Sequence, residues 1–170
     1  GGGPTPTMCR DVRLPFGDED FRMVRDASDL PINLEMAATP EMLDIALRFK
    51  PETAMFVPEK REERTTEGGL DAARQHNHLA PFIRQLKDNG SKVSLFIEPD
   101  MVQLSAAHQL GASITEFHTG RFVELCQAGE GALAGEEFER IRACAARAVE
   151  LGIDPPACPG ATTAPSHHAQ

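Results

Sequence analysis

The chain has 170 residues and a formal net charge of −9 at pH 7, because 26 aspartates and glutamates outnumber 17 lysines and arginines. This acidic balance argues against a nucleic acid or an anionic membrane surface as the main partner. The sequence contains four cysteines without a Cys-x-x-Cys pair, no apolar run of transmembrane length and no signal-peptide pattern at its start. These features predict a cytoplasmic protein with free thiols.

The two ends of the chain differ in composition from the middle. Glycine, proline and threonine crowd residues 1–7, and proline, threonine and histidine crowd residues 154–170. Such segments bury too little apolar surface to offset the entropy that is lost when they become ordered. We therefore predict an irregular tail over 1–17, one folded domain over 18–153 and a disordered tail over 154–170.

Between the tails, short apolar strands alternate with amphipathic helices. The three-and-four spacing of apolar residues and capping residues such as Thr39 before Pro40 predict helices. These lie at about residues 18–26, 40–50, 71–88, 100–110 and, after a glycine-rich loop, up to Leu151. Apolar runs and alternating patterns predict strands, at residues 32–36, 54–57, 93–98 and 114–120. No further strand is predicted from Asp154 onward.

This alternation predicts a parallel sheet covered by helices, which is either doubly wound or part of a barrel. Each predicted strand has a carboxylate at or near its C-terminal end, where both architectures place the active face: Glu35, Glu59, Glu98 and Glu116. The Gly-x-Gly-x-x-Gly turn of a dinucleotide-binding fold is absent. We therefore favour an α/β fold of the (β/α)8-barrel type, either a barrel or a piece of one, since the chain is short for a complete barrel of roughly 250 residues.

Two of these strands carry candidates for catalysis. Glu35 alternates with apolar neighbours, so it points to the barrel interior, where it is either a working base or a carboxylate paired with a cation on another strand. Glu116 and His118 are two residues apart and share one face of their strand. They form either an acid–base pair or a hydrogen-bonded core pair.

The charged loop over residues 57–71 is a candidate anion site. The hydroxyls of Thr65 and Thr66 and the amides of the glycine pair that follows suit a phosphate, with a cation from Lys60, Arg61 or Arg64. The alternative is a solvated charged loop. Metal binding is not expected, because His76 and His78 do not share one face of their helix.

Four stretches carry a family pattern. They are residues 32–37 (INLEMA), residues 57–61 and 65–71 of the charged loop (VPEKR and TTEGGLD), residues 93–97 (VSLFI) and residues 116–120, which read Glu-x-His-Thr-Gly. In this order and spacing they resemble the pyridoxine 5′-phosphate synthase family over about residues 18–152.

The resemblance implies a (β/α)8-barrel enzyme, usually an octamer, that needs no cofactor. The family condenses 1-deoxy-D-xylulose 5-phosphate with 3-amino-2-oxopropyl phosphate to give pyridoxine 5′-phosphate, inorganic phosphate and water. By this resemblance Glu35 is the proton acceptor and Glu116 stabilises a transition state. Thr65 binds the pentulose phosphate, and Arg10 is a further substrate-binding residue.

The sequence also departs from the family pattern. The block of the first barrel strand has no counterpart, and Met8 and Pro15 stand where the second strand should carry two histidines. The histidine blocks of the seventh and eighth strands are not found after Asp154. We therefore expect about four parallel strands, the third to the sixth of the barrel, in a truncated chain. The alternatives are an inactive fragment that serves at most in subunit interaction or phosphate binding, and another phosphosugar barrel enzyme.

Overall fold

A computed structural model describes residues 7–9, 18–27, 29–66 and 68–154; for residues 7–9 and Asp18 it describes the backbone alone. The strands are β1 (Thr7–Cys9), β2 (Asn33–Met36), β3 (Thr53–Phe56), β4 (Lys92–Ile97) and β5 (Ile114–Phe117). The α-helices are α1 (Asp18–Ala27), α2 (Pro40–Phe49), α3 (His76–Asp88), α4 (Met101–Leu110), α5 (Gly120–Gln127) and α6 (Gly131–Glu150). A short 3₁₀ helix covers Arg61–Glu63.

The strands form one parallel sheet in which each strand pairs with its sequence neighbours, in the order β1-β2-β3-β4-β5. The registers place Asn33 of β2 beside Thr53 of β3, and Phe96 of β4 beside Glu116 of β5. An unbroken sequential order is that of a barrel wall, whereas a doubly wound sheet reverses its strand order. The predicted fold class, an α/β fold with part of a (β/α)8 barrel, is therefore confirmed.

One edge of the sheet differs from the sequence prediction. An irregular segment is predicted over 1–17 and about four strands in all, but three residues of that segment form β1, which makes five strands. β1 pairs with β2 through backbone groups, with Cys9 beside Glu35. Such pairing needs no alternating side-chain pattern that a sequence could reveal. The proposed domain boundaries after residues 17 and 153 stay predictions.

At the other edge, the chain returns to the sheet after α6. The Asp154 N–H donates to the Ser113 carbonyl oxygen at 2.9 Å, and Asp154 forms a parallel bridge with Ile114 of β5. The predicted disordered tail begins at this residue, and its remainder lies outside the described ranges. Asp154 itself is thus a pairing residue of the sheet.

Two helices differ from their predicted bounds. α5 occupies residues predicted as a glycine-rich loop, and its Phe122 packs on Phe138 of α6 with 6.1 Å between the ring centroids. Packing of this kind stabilises a helix whose own propensity is low. α3 begins at His76 and not near Asp71, because a turn comes first, in which Asp71 Oδ1 accepts a hydrogen bond from Arg74 N–H at 3.1 Å.

The core lies between the sheet and its helices. Leu34 and Met36 of β2 are buried, whereas Asn33 and Glu35 are partly exposed, which agrees with the predicted alternation. Large side chains that are fully buried continue this layer: Ile32, Phe56, Leu70, Leu79, Ile83, Leu86, Val93, Leu95, Ile97 and Leu104. In the part of the chain that the structure describes, no helix has the length and apolarity to cross a bilayer.

Thr115 of β5 is fully buried, and its hydroxyl has no hydrogen-bond partner among the described residues. Because valine has nearly the same shape without the polar group, we expect Thr115→Val to raise the free energy of unfolding by about 1 kcal/mol in urea denaturation. Ser91→Ala is a control of opposite sign, since the buried Ser91 hydroxyl donates to the Pro51 carbonyl oxygen at 2.7 Å. A less stable Thr115→Val variant would contradict the expectation.

Candidate functional site

A cleft of about 300 Å³ opens at the C-terminal ends of the strands. The residues that line it come from β2, β3, β4, β5 and the segments that follow β3 and β5: Glu35, Met55, Val57, Pro58, Arg64, Gly68, Phe96, Glu116 and His118. In parallel α/β folds this end of the sheet is where functional groups gather, because the loops after all the strands meet there. The cleft is therefore the candidate site.

The structure brings together the two predicted catalytic carboxylates. Glu35 lies on β2 and Glu116 on β5, with two strands between them, yet both line the same cleft. Leu34 and Met36 bury the opposite face of β2, so the predicted orientation of Glu35 toward the barrel interior is confirmed. The cleft thus has an acidic group on each side of it.

The two carboxylates interact electrostatically. Burial raises the pKa of the Glu116 carboxyl above its usual range, and the negative charge of Glu35 raises this pKa further. Glu116 therefore holds its proton at a higher pH than an ordinary glutamate. A carboxyl of this kind can donate a proton or a hydrogen bond in a reaction.

This shift makes stability depend on pH. A carboxyl with a raised pKa in the folded state contributes stability that is complete below its unfolded-state pKa and is lost as pH rises through the folded-state pKa. The glutamine side chain in Glu116→Gln cannot titrate. We therefore expect the free energy of unfolding of this variant, taken relative to that of the unchanged chain, to be higher at about pH 7 than at about pH 4. Urea denaturation at both pH values measures the difference.

The two causes of the shift can be separated by following the Glu116 carboxyl by NMR. In Glu35→Gln, we expect the midpoint of the Glu116 titration to fall, because the second cause is the charge of Glu35. It should remain above the usual glutamate range, because burial is unchanged. A midpoint that does not move would show that Glu35 does not act on Glu116.

The loop after β3 forms one wall of the cleft through Arg64 and Gly68. All three predicted cations are exposed, but only Arg64 lines the cleft; Lys60 and Arg61 lie at the start of the 3₁₀ helix. Thr65 is not among the lining residues. Its hydroxyl donates to Glu98 Oε1 at 2.7 Å, so it lies behind the wall.

Glu98 is a site residue that the sequence analysis noted only as one of four carboxylates at strand ends. It follows β4, is 4% exposed, and its Oε1 also accepts a hydrogen bond from the Gly69 N–H at 2.7 Å. The same oxygen lies 3.7 Å from Nδ1 of His118, which lines the cleft. The signal in the sequence was the carboxylate itself, but its partners follow only from the fold.

Of the remaining predicted residues, those that the structure describes do not line the cleft. Glu59 belongs to the loop after β3, where its backbone N–H donates to Glu63 Oε2 at 2.8 Å. Thr66 is exposed. Arg10 lies outside the described residues. His76 lines surface grooves at the helices α3 and α4, away from the strand ends.

Comparison with known proteins places this chain in a family. Residues 9–162 match the family model described as "Pyridoxal phosphate biosynthesis protein PdxJ". A protein of Rhodospirillum rubrum named pyridoxine 5′-phosphate synthase is 53% identical over 145 residues, which cover 85% of this chain and 57% of that protein. Proteins of the same name from Xanthobacter autotrophicus and Akkermansia muciniphila are 48% and 47% identical.

The alignments cover most of this chain but only part of each relative. The Xanthobacter autotrophicus alignment covers 85% of this chain and 56% of its relative, and the Akkermansia muciniphila alignment covers 90% and 61%. The chain thus spans somewhat more than half the length of the curated relatives it matches. The resemblance seen in four short stretches is confirmed over nearly the whole chain, and the chain belongs to the PdxJ family of pyridoxal phosphate biosynthesis proteins.

Proposed function

We propose that this chain forms one side of the active site of a pyridoxine 5′-phosphate synthase, the name its relatives carry. In this proposal it condenses 1-deoxy-D-xylulose 5-phosphate with 3-amino-2-oxopropyl phosphate. The observation that carries the proposal is the meeting of Glu35 and Glu116 in one cleft beside a loop that supplies a cation, Arg64. Two acidic groups next to an anion site suit a reaction that moves protons on a phosphorylated substrate.

The carboxylates take different roles in this proposal. Joining an amine to a ketone, losing water and closing a ring all require a group that removes protons and a group that returns them. Glu35 is proposed as the proton acceptor. Glu116, with its raised pKa, supports a transition state by keeping a proton or hydrogen bond available where charge develops.

The phosphate of the pentulose is proposed to lie against the loop after β3. Arg64 lines the cleft there and supplies a positive charge, and Arg10 and Thr65 are proposed as further ligands. The Thr65 backbone N–H donates to Gly69 and its hydroxyl donates to Glu98. Direct binding of phosphate by Thr65 therefore requires its hydroxyl to turn away from Glu98.

The test is product formation by the purified protein that contains this chain. Pyridoxine 5′-phosphate and inorganic phosphate are measured with both substrates present and with each one omitted. We expect both products only when both substrates are present. Binding of a phosphorylated substrate without any product would contradict the synthase proposal and favour a phosphate-binding module.

The resemblance also supports two proposals about the protein in the cell. One is a homo-oligomer, an octamer in the family, and the other is a cytoplasmic location. The mass of the purified protein in solution, measured by light scattering, tests the first. Fractionation of the source cells tests the second.

A further inference from the structure

We propose that Glu98 is a positioning residue that holds three groups of the cleft wall in place: Arg64, Gly68 and His118. It does so from behind the wall, because Glu98 itself is buried and does not line the cleft. The inference rests on the proposed function to the extent that the cleft is taken to bind a phosphorylated substrate. Nothing in the reaction as proposed above requires Glu98 to touch that substrate.

One oxygen of Glu98 fastens the loop after β3. Oε1 accepts hydrogen bonds from the Thr65 hydroxyl and from the Gly69 N–H, both at 2.7 Å. Hydrogen bonds to an ionised carboxylate are shorter and stronger than those between neutral groups. The two bonds therefore tie both ends of a five-residue loop segment to the end of β4.

The loop is closed on itself, so this fastening also fixes its neighbours. The Thr65 N–H donates to the Gly69 carbonyl oxygen at 2.8 Å, and Arg64 forms an antiparallel bridge with Leu70. Arg64 and Gly68 stand next to the two fastened residues and line the cleft. A shift of Thr65 and Gly69 would move both of them.

Close packing leaves the loop little freedom at this point. A Cβ atom on Gly69 would lie 2.7 Å from the Glu98 backbone nitrogen and 3.2 Å from Oε1. The backbone of the loop therefore rests directly on the end of β4. This contact requires a residue without a side chain at position 69 and an acceptor at position 98.

The same oxygen faces a second wall of the cleft. His118 Nδ1 lies 3.7 Å from Oε1, which is too far for a hydrogen bond but makes the ring a direct neighbour of the carboxylate. The ring meets Phe96 edge-on, with 5.4 Å between centroids and 82° between planes. Gly120 leaves room for it, since a Cβ there would lie 2.6 Å from His118 Cε1. Glu98 thus links the loop after β3 to the end of β5.

Glu98→Gln tests this role, because glutamine keeps the size and one oxygen acceptor but loses the charge. The probe is inorganic phosphate, with binding measured by calorimetry. We expect the dissociation constant for phosphate to rise about tenfold, because the hydrogen bonds from Thr65 and Gly69 lose a charged acceptor and become weaker. Amide hydrogen exchange of Gly69 should become faster.

Glu137→Gln is the matched control. Glu137 is 5% exposed and is hydrogen-bonded to Arg140 on α6, away from the cleft. This variant should leave phosphate binding unchanged.

A double-mutant cycle with Arg64→Ala separates positioning from general loss of structure. If Glu98 acts by placing Arg64, Glu98→Gln should lose most of its effect on phosphate affinity when Arg64 is already absent. The inference would be overturned if the two substitutions raised the dissociation constant for phosphate independently, so that their fold-changes multiplied. It would also be overturned if Glu98→Gln left the amide exchange of Gly69 unchanged, or if the protein without substitutions did not bind phosphate. None of these measurements uses product formation, so failure of the synthase proposal is recognised separately by the two-substrate assay.

Discussion

The protein carrying Glu35→Gln is expected to form pyridoxine 5′-phosphate about 10²- to 10⁴-fold more slowly than the unchanged protein, the usual contribution of a general base. The amide of glutamine keeps the size of the side chain that lines the cleft but does not accept a proton at neutral pH. Substrate binding should change little, because the phosphate end of the substrate is proposed to lie by Arg64, which also lines the cleft. Initial rates at saturating concentrations of both substrates measure the effect.

The control for this prediction is Glu41→Gln, which alters an exposed glutamate in the first turn of α2. Its rate should equal that of the unchanged protein. A Glu35→Gln variant that retains full activity would exclude Glu35 as the proton acceptor. A variant whose Michaelis constant rises while its turnover number is kept would instead assign Glu35 to substrate binding.

Gly69→Ala is expected to lower the free energy of unfolding by about 1–3 kcal/mol, as overpacking of a tight contact does, and to weaken phosphate binding. The added Cβ would lie 2.7 Å from the Glu98 backbone nitrogen and 2.9 Å from the Ile97 carbonyl carbon. Backbone atoms in a paired strand cannot move aside as the end of a flexible side chain can. The loop must therefore lift off β4 and carry Arg64 with it. Urea denaturation and calorimetry with inorganic phosphate measure the two effects.

Gly131→Ala is the matched control for Gly69→Ala. Both glycines have φ outside the left-handed region, so neither substitution strains the backbone through its dihedral angles. A Cβ on Gly131, the first residue of α6, would have nothing within 4 Å. This variant should keep both stability and phosphate binding. An equal loss in the two variants would mean that clearance at Gly69 has no special role.

The repeating part of the fold could be predicted from the sequence. The alternation around Glu35 identified β2 and its buried face, and Thr39 before Pro40 marked the start of α2, where the Thr39 hydroxyl accepts a hydrogen bond from Met42 N–H at 3.3 Å. These signals are local, because they depend on residues that are neighbours in sequence. The sequence also placed the strand-end carboxylates at the active face of the sheet, and Glu35 and Glu116 do line one cleft there, since parallel strands bring their ends together.

Features that depend on distant partners could not be predicted. β1 exists because β2 offers backbone groups to it, and α5 exists because α6 lies beneath Phe122. The sequence could not choose among Lys60, Arg61 and Arg64, since the direction of each depends on how the loop closes. Glu98 was named only as a carboxylate at a strand end, and its partners could not be predicted for the same reason, because its two donors lie in a loop that is distant in sequence.

The sequential order of the strands bears on the length of the connection between β3 and α3. Each strand pairs with the strand that came before it, so forming each pair closes one loop of chain, made of a helix and its connections. The entropy lost on loop closure grows only slowly with length, by about 0.6 kcal/mol for each doubling. The connection between β3 and α3, which carries Arg64 and Gly68, can therefore be extended at little cost to the pairing of β3 with β4. A barrel wall of this kind tolerates insertion at the end of the strands where a substrate would bind.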